Sequence, residues 1–198
     1  MKAISRWLDR FCYNHPNFGI PNLMKFIVIG NVLVFFLDMF SNGYVSWLFS
    51  FFSPLILQGQ IWRIISFLFV PTSGYGGMFS ILWFAMTTLF YYYIGNALER
   101  QWGTARFTVF YGLGVVLNIL VGFLMGSTSM YYINMSMFFA FATLYPDLQV
   151  LLYGILPLKV KWLAWIDAAL FAFDFFFSIF SRQWITAVLP LVAILNYL

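Results

Sequence analysis

The residues that could do chemistry are few. They are a serine within an apolar run (Ser136), one histidine (His15), one cysteine (Cys12), and carboxylates set among apolar residues (Asp38, Asp167, Asp174). A serine hydroxyl is a weak nucleophile until a base takes its proton. With one histidine in the chain, histidine-dependent catalysis uses His15 or does not occur. Cys12 and His15 stand at i and i+3, a spacing that suits two metal ligands. Two are too few, because a four-ligand Cys/His zinc site needs more of either residue. A turn at a membrane surface is the plainer reading of that pair. A lone cysteine also forms no disulfide within the chain. A carboxylate at membrane depth is costly and by default marks function. Asp174 lies in the middle of an apolar run, with Asp167 seven residues earlier on the same helical face. Asp174 serves either a proton or solute path or a neutral, hydrogen-bonded core position. Asp167 is either solvated or paired with Lys161.

The elements that must hold these residues are set by composition. Of 198 residues, 63% are apolar and 8% charged, with a mean hydropathy of +0.89. Soluble domains run near ~45–50% apolar and about 25% charged, so neither a water-soluble globule nor a disordered tail fits. Six apolar crossings are expected, at about 23–41, 79–97, 105–125, 129–145, 162–180 and 183–198. Residues 1–22 form a separate piece. Ile4, Trp7, Leu8 and Phe11 fall on one helical face and Lys2, Arg6 and Arg10 on the other, which suits a helix lying on an anionic membrane surface. A turn-rich stretch from Tyr13 to Pro21 ends it, and no secretory signal peptide is evident. Residues 42–78 are apolar but broken by Pro54, Gly59, Pro71 and a Gly-rich run at 73–77. They read as a long, partly embedded loop of short helices, with a short seventh crossing at 61–72 as the alternative. Residues 23–198 are treated as one membrane domain.

Charge placement orients the chain. With six spans and the N-terminus inside, Lys2, Arg6, Arg10, Lys25, Arg100, Arg106, Lys159 and Lys161 lie on the cytoplasmic side, and Arg63 and Arg182 outside. That follows the bias of cytoplasmic loops toward Lys and Arg. A seventh crossing would spoil it. The basic residues are too few and too scattered for nucleic-acid binding. Gly122 and Gly126 form a GxxxG spacing, which permits close helix approach within the chain or between copies.

Two stretches carry a resemblance. Gln60-Ile61-Trp62-Arg63-Ile64-Ile65-Ser66 falls in the large loop. Gly95-Asn96-Ala97-Leu98-Glu99-Arg100-Gln101-Trp102-Gly103 ends the second span. With the topology above, this combination resembles the rhomboid superfamily over roughly residues 22–198. There a Trp-Arg pair sits in the first loop and a Gly-x-x-Leu-Glu-x-x-x-Gly run ends the second span. The resemblance implies a six-transmembrane-helix all-α bundle with a long embedded loop between the first two spans. It also implies structural roles for Trp62, Arg63, Gly95, Leu98, Glu99 and Gly103. The arginine is expected to fasten the loop by hydrogen bonds, since an unpaired guanidinium at membrane depth is expensive.

An active member of that family carries a serine near the outer end of the fourth span, between glycines, and a histidine near the outer end of the sixth. Here Ser136 stands close to the serine position, but its flanking positions hold Asn134 and Met137. The stretch from Trp184 to Ala193 contains no histidine. The His-bearing start of the family's second span is also altered here, to Phe69-Val70-Pro71-Thr72-Ser73. By the charge count, His15, Lys159 and Lys161 lie on the far side of the bilayer from Ser136. Ser136 therefore reads as a packing or hydrogen-bonding serine at a degenerate nucleophile position, and catalysis is not expected. The resemblance is to the pseudoproteases, including the derlins, and equally to compact bacterial rhomboid-like proteins. The bacterial plasma membrane is favoured over the endoplasmic reticulum. The expected function is non-catalytic: binding transmembrane segments of client proteins and perturbing the local bilayer. Gln60, Asn118, Asn134, Ser136 and Asp174 are the candidates to line a shallow polar cavity. Expected partners are membrane lipids and client transmembrane segments, with no cofactor and no metal. The alternatives are a divergent intramembrane serine protease and a small transporter using Asp174.

Overall fold

The computed structural model describes residues 18–72, 79–152 and 156–180, the final helix by its backbone alone from residue 174 onward. The described residues are mostly helical, at 77%. In chain order, α1 is Leu23–Ser41, α2 is Tyr44–Phe49, β1 is Phe51–Phe52, α3 is Ser53–Leu57 and α4 is Arg63–Ser66, followed by a 3-10 turn at Phe67–Phe69. Then come α5 (Ser80–Trp102), α6 (Thr104–Met125), β2 (Ser127–Thr128), α7 (Tyr131–Leu144), β3 (Gln149–Leu152), β4 (Leu156–Lys159) and α8 (Val160–Phe180).

Helices occupy five of the expected apolar runs with small shifts at their ends. The surface helix expected before residue 18 and the run at 183–198 lie outside the described residues. Two of the helices, Leu23–Ser41 and Thr104–Met125, are long and apolar enough to cross a membrane. The alternative crossing at 61–72 does not form. That stretch holds one helical turn and a 3-10 turn, far short of the ~20 residues a crossing needs. The described part of the 42–78 loop is a chain of short helices, as its prolines and glycines predict.

The expectation of an all-α chain needs correction. Two small antiparallel strand pairs are present. In the first, Phe51 pairs with Thr128 and Phe52 with Ser127. In the second, β3 and β4 form a ladder from Gln149↔Lys159 to Leu152↔Leu156. The physical reason is that backbone N–H and C=O groups away from water must pair. Gly126, at φ +88°, stops α6, and the freed backbone finds its partners on the loop.

The helix ends follow from local chemistry. Asn42 (φ 52°) and Gly43 (φ 86°) adopt left-handed conformations after α1, and both their N–H groups donate to the Asp38 carbonyl. Asparagine and glycine tolerate that region best. Gly103, at φ 85° and ψ 157°, is the single residue between α5 and α6, a conformation essentially confined to glycine.

The outer faces of the helices are apolar as well as the core, unlike those of a soluble protein. The buried stripe of α1 includes Asn31 and Asp38, while Phe26, Leu33, Phe36 and Phe40 are exposed. On α6, Gly114 and Asn118 are buried, while Leu113, Val116, Leu120 and Leu124 are exposed. Only 39% and 33% of the apolar windows of these two helices are buried, whereas a soluble core helix would be mostly covered. The helices alternate in direction. Phe35 stacks on Phe84 at 3.9 Å between α1 and α5, and Phe90 and Tyr93 of α5 meet Phe138 and Phe141 of α7. The central helix is α7, with eight of its 14 residues buried. At 1.5 Å per residue it rises only about 21 Å, so its ends need protein cover.

Candidate functional site

The arginine of the loop is its anchor. Arg63 is fully buried. Its Nη1 donates to the Trp47 carbonyl at 2.7 Å and the Ser50 carbonyl at 2.8 Å. Its Nε donates to Gln60 Oε1 at 2.6 Å. The guanidinium carbon stands 5.1 Å from the centre of the Trp47 ring, within reach of a cation–π contact. Three residues on, the Ser66 hydroxyl donates to the Phe49 carbonyl at 2.9 Å. Carbonyls at the end of α2, which have no helical partner, are thus capped by side chains of α4. Trp62 itself is 48% exposed. The ring on Arg63 belongs instead to Trp47, which the sequence offered no reason to choose.

The second motif closes the other end of the bundle. Glu99 Oε1 accepts from the Asn22 N–H at 2.9 Å and from the Thr104 hydroxyl at 3.1 Å. It therefore ties the start of α1 to the α5–α6 turn, where Gly103 makes its bend. Leu98 is fully buried. Gly95 lets α1 come close: a Cβ there would sit 2.1 Å from Met24 Cγ. On the loop side, a Cβ at Gly30 would meet the Phe69 ring at 2.1 Å, and one at Gly122 would meet Phe51 at 2.6 Å. The first glycine of the GxxxG pair is thus used within the chain.

Ser136 is fully buried in α7, and its hydroxyl donates to the Ile133 carbonyl at 2.8 Å. A serine donating to a carbonyl one turn back is a common helix-core arrangement. Among the described residues, the side chains expected to line a cavity have separate surroundings. Gln60 belongs to the Arg63 anchor. Asn118 donates to the Gly114 carbonyl at 2.9 Å and accepts from Thr128 at 3.0 Å, which stitches β2 to α6. Asn134 is 3% exposed and lines a small cavity between α1, α5 and α7. Asp174 lies on α8, its side chain outside the described residues. The larger opening is a cleft of about 290 Å³ between the loop and the start of α7, edged by Ser50, Thr72, Thr128 and Ser129.

Asp38 and Asp147 have plain partners. Asp38 accepts from the Ser46 N–H at 3.0 Å and from the Ser46 and Ser41 hydroxyls, fixing α2 against α1. Lys161 does not pair with Asp167. With Lys159 it donates to Asp147, at 3.1 and 3.2 Å. Hydrogen bonds from Lys161 and then Lys159 hold the exposed Asp147 carboxyl below its usual range. Among the described residues no three His, Cys, Asp or Glu side chains gather in a way that could hold a metal ion.

Asn31 was not legible as a site residue. Its Nδ2 donates to the Ile27 carbonyl at 2.9 Å and sits 3.5 Å from the Leu68 carbonyl, joining α1 to the loop. A neutral amide inside an apolar run carries no charge signal, and only its place in the buried stripe of α1 could have marked it. Comparison with protein-family models, with curated proteins and with solved structures found no match.

Proposed function

We propose that this chain is a six-span, rhomboid-like membrane protein without protease activity, its N-terminus cytoplasmic, that binds transmembrane segments of client proteins and perturbs the bilayer around it. The observation that carries the reading is the buried Arg63 anchor. It stands at the loop position where the resemblance puts an arginine, and it makes the loop-fastening hydrogen bonds that the resemblance implies. The Gly95–Gly103 stretch supports it in the same way, through close helix approach and a carboxylate that joins three helix ends.

Membrane embedding is supported by two apolar helices that expose Leu33, Phe36, Leu113 and Leu120 while burying Asn31 and Asn118. The orientation is supported by charge. Lys25, Arg100, Arg106, Lys159 and Lys161 lie near the helix ends joined by the Asn22–Glu99 and Tyr145–Gln101 hydrogen bonds. Arg63 lies in the loop near the opposite ends. The lack of catalysis is supported by Ser136, enclosed in the helix core with its proton donated to a backbone carbonyl. A short, central α7 is consistent with a thinned bilayer.

The test is site-specific photo-crosslinking in membranes. A crosslinking residue at Ser129 or Thr72, on the open cleft, should capture transmembrane segments. One at Lys25, at the other end of the bundle, should not. Equal capture at both ends, or none at the cleft, would overturn the client-binding reading.

A further inference from the structure

A smaller cavity adjoins the open cleft. Pro71, Thr72 and Met130 line both the cleft of about 290 Å³ and this cavity of about 20 Å³ between α1, α5 and α7. We propose that the smaller cavity is a binding site for a water molecule, held by Asn134.

Four observations converge on water. Asn134 is 3% exposed, and its Oδ1 is buried with no hydrogen-bond partner among the described residues. A buried acceptor left unpaired is costly, and such groups are normally satisfied by protein or by ordered water. The walls carry further neutral donors and acceptors, from Asn31, Thr72, Thr87, Thr88 and Tyr91, and a buried water uses two to four such partners. Among the described residues no charged side chain lines the cavity, so an ion would find no counter-charge there. The volume is sufficient. A water needs roughly 10–15 Å³ of such space, and about 20 Å³ admits one. Water also complements either amide atom of Asn134, as donor or as acceptor. The site draws together a residue of each of three helices and the loop tip, and it does not rest on the client-binding reading.

The test is hydroxyl-radical footprinting by radiolysis on the full chain in detergent micelles, where radicals arise from water in place. Met24 and Met137 form the internal comparison. They are 1% and 0% exposed, but only Met24 lines the cavity. Met24 should be oxidised several-fold faster than Met137. Asn134→Leu, which removes the acceptor and fills the space, should bring Met24 down to the rate of Met137. Should that variant fail to fold, Thr88→Leu fills the same cavity from α5 and should act alike. Equal rates for the two methionines in the native protein would overturn the proposal. So would a Met24 rate unchanged in a folded variant of either kind.

Discussion

Replacing Arg63 with alanine should loosen the loop more than any other single polar change among the described residues. The side chain makes three charge-assisted hydrogen bonds, to the Trp47 and Ser50 carbonyls and to Gln60 Oε1. Each such bond is worth about 1.5–3 kcal/mol, a gross sum of about 5–9 kcal/mol. The net loss is smaller, because a freed loop can rehydrate its carbonyls. Each buried acceptor left unpaired costs about 1–3 kcal/mol, and with partial rehydration of the three the expected loss for Arg63→Ala is about 3–5 kcal/mol. Gln60→Ala removes one of the three bonds and should cost about 1.5–3 kcal/mol. Arg63→Lys should fall between wild type and alanine, since an ammonium is a point donor that cannot span both carbonyls and the amide. The assay is reversible unfolding in mixed micelles, paired with hydrogen exchange of the loop amides. Faster exchange confined to residues 44–69, with the α6 and α7 amides still protected, would locate the damage in the loop. A loss of about 1 kcal/mol or less, the size of a surface ion pair, would refute the reasoning.

Other consequences follow from single contacts. Gly30→Ala drives a methyl group into the rigid ring of Phe69 and should cost about 1–3 kcal/mol, measured by the same unfolding assay. Glu99→Ala removes the acceptor shared by the Asn22 N–H and Thr104. It should cost about 1–3 kcal/mol and raise amide exchange at the start of α1. The β3–β4 hairpin should respond to acid. Its Asp147 carboxyl is held below the usual range by Lys161 and Lys159, so its contribution is present above the unfolded-state value and lost as pH falls through the depressed one. Asp147→Asn should remove that acid-dependent step from the exchange of the hairpin amides, and added salt should weaken it in the native chain, because the pair is exposed.

The helices were legible in the sequence because hydropathy is a property of contiguous residues. The α1 run at 23–41 needed no tertiary information, and Gly103 marked the α5–α6 turn by its residue type. The strand pair between Phe51–Phe52 and Ser127–Thr128 was not legible. It depends on backbone groups far apart in sequence, with no side-chain signature. The same reason explains Trp47, whose carbonyl and ring both meet Arg63 only after α2 has folded back. The separate surroundings of Gln60, Asn118, Asn134 and Ser136 were not legible for a different reason. Polarity within an apolar run says that a residue needs a partner, not which partner it will find. Gln60 and Asn118 found side chains and Ser136 a carbonyl of its own helix, while Asn134 faces a cavity with its Oδ1 unpaired.

The most direct measurement is a cleavage assay in proteoliposomes, with a panel of transmembrane substrates presented to the wild-type chain and to Ser136→Ala. The account predicts no cleavage by either, with client segments still crosslinking to both. Site-specific cleavage by the wild type that disappears in Ser136→Ala would contradict it.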